Sequence, residues 1–280
     1  MADVSGIRPG DVVALSSQVR RLTAPNPGVM TGPGTNTYIV GESGLAVIDP
    51  GPAIESHTGK ILEVTGGRLQ YILCTHTHLD HSPAAALLHQ ATGAPVLGMP
   101  PRDDGRQDMQ FRPDRILRHG DVVDLGHCTL RAVHTPGHAS NHLCYLLEQQ
   151  RLLFTGDHIM QGSTVVISPP DGDMKAYLGS LEKLLEIELA ALAPGHGHVI
   201  ADPQTEIRRL IAHRLRREQK VIDAFNRKNP ATLDELLPVV YDDVPAKLHP
   251  VARRSLHAHL IKLARDARVR ENGDLWERAG

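Results

Sequence analysis

The chain has 280 residues, 41% hydrophobic and 3% aromatic, and its 30 Lys+Arg against 32 Asp+Glu leave a net charge of −2. That length supports a substantial core, divided between one large and one small domain. No apolar run approaches the roughly 20 residues that cross a bilayer, which excludes a membrane-spanning helix, and the scarce aromatics (Trp276 and five tyrosines) offer few platforms for stacking bases.

The first ten residues lack the basic-then-apolar pattern of an export signal. Cys74, Cys128 and Cys144 all fall in strand-like runs. An odd count in such places predicts reduced thiols and a cytoplasmic setting. A Pro/Gly-rich loop at residues 26–34 leads through Thr35, Asn36 and Thr37 into a strand at Tyr38-Ile39-Val40. Thr35 is a candidate substrate contact. A further motif is Val47-Ile48-Asp49-Pro50-Gly51.

The most informative stretch follows Tyr71-Ile72-Leu73-Cys74, a short apolar run that reads as a buried strand. His76, His78, Asp80 and His81 then fall within six consecutive residues. His76 and His78 are two apart, so in an extended segment they point to one side and can grip one ion. Asp80 and His81 come where the chain turns ahead of Pro83 and a helical run at 84–91, and can face a second ion. Imidazole and carboxylate together suit zinc, and also iron or manganese.

Three more clusters each follow a strand-like segment. His134-Thr135-Pro136-Gly137-His138 follows residues 129–133, Phe154-Thr155-Gly156-Asp157-His158 follows 151–153, and Pro194-Gly195-His196-Gly197 follows 189–193. Strand ends converging on one rim would gather the ligands of a two-metal site. His142 and His158 sit near proposed ligands and read as cleft lining or as support behind them. Ser163 and Thr164 are candidate substrate contacts, and the loop at 168–174 precedes a helical pattern at 176–189.

From about residue 204 helical patterns take over, at 205–227, 233–240 and 248–267. Thr232 and Glu235 have capping-box spacing, and Asn272-Gly273 signals a closing hairpin. Residues 204–280 hold 16 Lys+Arg against 11 Asp+Glu, whereas residues 1–203 hold 14 against 21. Arg208, Arg209, Arg214, Arg216, Arg217 and Lys220 cluster on one predicted helix. That cluster is either a patch for phosphates or a solvated face with internal pairs such as Arg214–Glu218.

With Asp49, the His76–His81 cluster, His138, Asp157 and His196 in this order, the chain resembles the metallo-β-lactamase-fold hydrolases. The resemblance implies an α+β fold, an αββα sandwich of two β-sheets flanked by helices over residues 1–203. It implies His76, His78 and His138 on one metal, and Asp80, His81 and His196 on the other, with Asp157 bridging. It further implies two divalent ions, most simply zinc, that activate a bridging hydroxide, with His76, His78 and Asp80 central to catalysis and Asp80 orienting the nucleophile or taking its proton. Asp49 would fix the tautomer of a ligand histidine.

Gly34-Thr35-Asn36-Thr37-Tyr38 and the C-terminal helices with their hairpin resemble the β-lactamase-like-protein-2 subgroup, whose tail (here 204–280) is winged-helix-like. Relatives of that subgroup include a single-strand endoribonuclease, so RNA phosphodiesters are one expected substrate. A glyoxalase II-like thioester or ester hydrolase is the alternative. Classical β-lactamases carry a Cys where this chain has Gly156-Asp157, so antibiotic hydrolysis is expected to be weak at most. Two further readings are a mononuclear-iron sulfur dioxygenase and an inactive nucleic-acid-binding module. The sequence carries no determinant of oligomeric state.

Overall fold

The computed structural model describes residues 5–279. By internal contacts the chain separates into two units. The first comprises Met1–Thr135, Asn141–Val165 and Ile187–Pro203, and the second Pro136–Ser140, Val166–Glu186 and Gln204–Gly280. Pro203 ends the last segment of the first unit, and two earlier segments group with the C-terminal residues.

The first unit is a two-sheet sandwich. Seven strands form one sheet in sequence order: β1 (Val12–Ala14), β2 (Val19–Thr23), β3 (Asn36–Gly41), β4 (Leu45–Ile48), β5 (Leu69–Leu73), β6 (Val96–Gly98) and β7 (Arg115–Ile116). Helices α1 (Glu55–Thr65) and α2 (Ala84–Thr92) are the crossovers that make β4, β5 and β6 parallel. The second sheet runs β12-β11-β10-β9-β8, from β8 (Val122–Asp124), β9 (Thr129–His134), β10 (Leu143–Leu147), β11 (Leu152–Gly156) and β12 (Ala191–Pro194).

Alternation along the strands builds two cores. Tyr38, Val40, Ala46 and Ile48 pack toward Leu143, Tyr145, Leu147 and Phe154 between the sheets. Ile39, Leu45, Val47 and Ile72 face the other way and pack with Ile61 and Leu88 of α1 and α2. Being covered on both faces, β4 reads as a continuous apolar run rather than an alternating one.

The second unit holds α3 (Met174–Leu185), α4 (Pro203–Ala224), α5 (Leu233–Val240), α6 (His249–Arg265) and a sheet ordered β13-β15-β14, from β13 (Ala231–Thr232), β14 (Val269–Asn272) and β15 (Leu275–Arg278). Helix α3 stops at Leu185, four residues short of the expected end. The Thr232/Glu235 capping box at α5 is formed in both directions. The hairpin is present, but Asn272 pairs with Leu275, so the turn is Gly273-Asp274 rather than Asn-Gly. Gly273 takes φ +61°, as the first turn position of a II′ hairpin requires. Trp276 is buried against Val221, Leu256 and Leu260 and presents no ring to a base.

Candidate metal centre

Apart from His138, which follows β9, the proposed ligands leave the C-terminal ends of two parallel strand pairs. Pairing of β4 with β5 brings Asp49 beside Thr75, whose backbone N donates to Asp49 Oδ1 at 2.7 Å. Pairing of β11 with β12 brings Asp157 beside His196, and Gly195 N donates to Gly156 O at 2.8 Å. The sheets are stitched at this rim, where Leu143 N donates to Thr75 O and Tyr145 Oη to Cys74 O. Gly156 has φ +46°, and a β-carbon there would lie 2.4 Å from Thr75 Oγ1 and 2.8 Å from His142 Nε2. Only glycine fits before Asp157.

Ligand atoms of His76, His81 and Asp157 lie within 4.8 Å of one another, as do those of Asp80, His81 and His196. Hydrogen bonds behind the rings set their tautomers. His81 Nδ1–H donates to Asp49 Oδ2 at 2.9 Å. His196 Nδ1–H donates to Gly34 O at 3.1 Å. Thr75 Oγ1 donates to Asp49 Oδ2 and therefore accepts from His76 Nδ1 at 3.0 Å. In the neutral form of all three rings Nε2 is left carrying the lone pair. His81 Nε2 lies 3.4 Å from Asp157 Oδ1 and 3.5 Å from Asp80 Oδ2, and His196 Nε2 lies 3.2 and 3.3 Å from the same oxygens. His76 Nε2 and His78 Nδ1 are 3.0 Å apart. Electron-pair donors crowded onto one space are what bound cations explain, and the backing bonds are those of metal-binding histidines.

The electrostatics agree. Burial, then His81, His78 and His142, hold the His76 imidazole well below its usual proton affinity, so it stays a neutral donor. At the carboxylate end the balance reverses. Burial works against charge on Asp80, but His81 and His196 bring its carboxyl down to about 2. Burial also works against a protonated His196, yet Asp157 and Asp80 raise it to about 9. This end attracts positive charge and the other rejects protons, a combination that suits divalent metal. The two clusters, sharing His81, form a site for two ions.

Other expected residues fall in varied places. His138 lies in the second unit, where its Nδ1 hydrogen-bonds Val166 O at 2.8 Å. His142 is buried behind the ligands, its ring stacked on His76 at 5.0 Å. Thr35 is not a cleft residue: it is fully buried, and its Oγ1 donates to Asp80 Oδ2 at 3.4 Å. Ser163 lines a cleft of about 210 Å³ that opens beside His196 between Met30, Pro33 and Met160, and Thr164 lies outside its lining. Asn36, Thr37, Thr75 and His57 had no expected role, yet the first three bond to a ligand, to its loop or to Asp49, and His57 bonds to Thr37. Thr37 Oγ1 donates to Asp49 O at 2.6 Å and lies 2.8 Å from His57 Nε2. A run of small polar residues entering a buried strand, Thr35-Asn36-Thr37, was the available signal.

The sequence pattern of the metallo-beta-lactamase superfamily matches residues 30–196. The chain belongs to the metallo-beta-lactamase superfamily. The pattern of the beta-lactamase associated winged helix domain matches residues 232–276. The chain is 32% identical to a beta-lactamase-like protein 2 homolog of Drosophila melanogaster, over 92% of each chain. It is 32% identical to an atrochrysone carboxyl ACP thioesterase of Aspergillus chevalieri, over 92% of this chain and 85% of that one. A beta-lactamase domain protein from Burkholderia ambifaria shares the fold, with a TM-score of 0.82 at 22% identity over 99% and 97% of the two chains.

As a metallo-beta-lactamase superfamily member the chain is a metal-binding hydrolase. Bound divalent ions would supply an activated water and polarise the oxygen under attack. The chain's own residues do the rest. Asp49, Thr75 and Gly34 lock the tautomers of His81, His76 and His196, and Asp80 presents a carboxylate able to hold or accept a proton. Among the described residues no helix is long and apolar enough to cross a membrane.

Proposed function

We propose that this chain is a two-zinc hydrolase of carboxylic esters or thioesters. The observation that carries this reading is the cleft beside His196. Its walls include Val29, Met30, Pro33 and Met160, its polar groups besides His196 are the uncharged Thr31, Gln161 and Ser163, and no Lys or Arg lines it. Away from His196, that largely apolar wall suits an acyl group and gives the rest of a phosphodiester chain no counter-charge. The thioesterase relative points the same way.

The RNA reading leans on the basic helix, and that helix is less basic in space than in sequence. Arg214 and Arg217 are buried, Arg217 pairs with Asp243, and Lys220 pairs with Asp242. Glu218 pairs with Lys262 at 2.8 Å. Four of the five tyrosines are buried along with Trp276.

In this reading His76, His78 and His138 hold one ion and Asp80, His81 and His196 the other, with Asp157 shared. Support for His138 comes from its motif and from the bond that fixes Nδ1, which makes Nε2 the nitrogen it would offer. Residues 1–203 act as the catalytic part and 204–280 as a winged-helix module, within the β-lactamase-like-protein-2 subgroup. The three cysteines are buried thiols, which favours a reducing, cytoplasmic setting.

The test is a substrate panel for the zinc-loaded protein: fatty-acyl thioesters, p-nitrophenyl esters, S-lactoylglutathione, a β-lactam and single-stranded RNA. Chelator-sensitive turnover of the acyl substrates is the expected result. Cleavage of RNA with no acyl turnover would overturn the proposal.

A further inference from the structure

We infer that Asn36, with Tyr38, is the positioning device for the His196 ion. The inference rests on the two-ion site and not on the choice of substrate. Asn36 is fully buried, and its amide nitrogen and backbone N both donate to groups outside its own strand pairing. Nδ2 donates to Pro194 O at 3.0 Å and to Gly197 O at 2.8 Å. Its backbone N donates to Gly195 O at 2.7 Å. Oδ1 accepts from Thr23 Oγ1 at 2.8 Å, which fixes the amide's orientation. Tyr38 Oη adds a second donor to Pro194 O at 2.7 Å.

The carbonyls on both sides of His196 are thus gripped by one side chain. Two residues before Asn36, Gly34 O takes the His196 Nδ1 proton. Gly34 has φ +153°, and a β-carbon there would lie 1.9 Å from Ala24 O, so this carbonyl is delivered by a backbone path only glycine can follow. The segment Gly34–Tyr38 therefore sets both the position of the His196 loop and the rotation of its ring. Neither Asn36 nor Tyr38 touches the groups around His76 and His78 in any bond described above. The effect is accordingly specific: loss of the clamp loosens the His196 ion and spares the other.

Zinc is titrated into chelator-stripped, full-length protein against a chromophoric competitor. His196→Ala identifies which binding step belongs to His196. Asn36→Asp keeps the shape but turns the donor into an acceptor facing two carbonyls. It is expected to weaken the His196 step by about 10–100-fold, the usual range for groups that orient a ligand, while the other step holds. Tyr38→Phe keeps the ring and loses one bond, and should weaken the same step by about fivefold. Unchanged affinity at the His196 step in Asn36→Asp overturns the inference. So does equal weakening of both steps in a variant whose circular dichroism is native. If Asn36→Asp does not fold, Tyr38→Phe decides, and an unaltered His196 step there is the overturning result.

Discussion

Asp49 and His81 are joined by a 2.9 Å hydrogen bond from imidazole Nδ1 to carboxylate Oδ2, and the same oxygen accepts Thr75 Oγ1 at 2.8 Å. Asp49 thereby governs His81 directly and His76 through Thr75. It adopts φ +51°, a left-handed conformation that is uncommon outside glycine, and Thr37 and Leu73 hold its backbone there. Asp49→Asn should bind zinc about 10–100-fold more weakly at equilibrium, with a matching loss of kcat/KM at limiting zinc. Unaltered zinc affinity would show that the tautomers are set by other means.

His76→Ala and Asp80→Ala should each reduce metal-dependent hydrolysis to background. His76 is a buried donor with depressed proton affinity, and Asp80 lies beside both His81 and His196. Both variants are to be stripped with a chelator and reconstituted with zinc before assay. Wild-type turnover in either would place the chemistry elsewhere.

Met30 is half exposed at the wall of the cleft beside His196. If this wall receives an acyl chain, Met30→Asp removes binding shared by ground state and transition state. KM for long-chain esters should rise about tenfold with kcat unchanged, and acetyl esters should be little affected. A fall in kcat alone would assign Met30 a different role.

His259 is fully buried on α6, and burial lowers its pKa from 6.5 to about 4 despite Glu218 nearby. The unfolded chain binds this proton near pH 6.5 and the folded chain only near pH 4, so between these values the unfolded state holds more protons. Stability should fall as pH drops through that window, by on the order of 3 kcal/mol for this group. Urea unfolding of metal-stripped protein at pH 7 and pH 4.5 should show a smaller drop for His259→Leu than for wild type. Equal drops would refute the assignment.

The metal residues were legible because each sits in a local pattern: a strand-like run, a tight turn, then His or Asp. Their supports were not, because Asn36 meets Pro194 and Gly197 across more than 150 residues, a pairing no local period encodes. The basic cluster, which in sequence is either a phosphate patch or a solvated face, is arranged differently in space. Ile207, Leu210, Arg214, Arg217 and Val221 recur every three or four residues and are all buried, so helical phase turned two of the arginines inward. Thr35, a candidate substrate contact, immediately precedes the strand that begins at Asn36 and is buried with its hydroxyl against Asp80.

The second unit begins long before residue 204. Within it, Ser180 Oγ bonds Pro136 O, Asp173 N bonds Gly137 O, and Lys175 and Asp173 of the α3 region pair with Asp266 and Arg265 of α6. The polypeptide thus leaves and re-enters each body more than once. A truncation after Pro203 would keep Ser180 and Asp173, which bond the stretch bearing His138, but would remove Asp266 and Arg265, the α6 partners of Lys175 and Asp173. The segment that shapes the His138 turn thus has its own footing on the C-terminal helices, and cutting the tail away strips that footing.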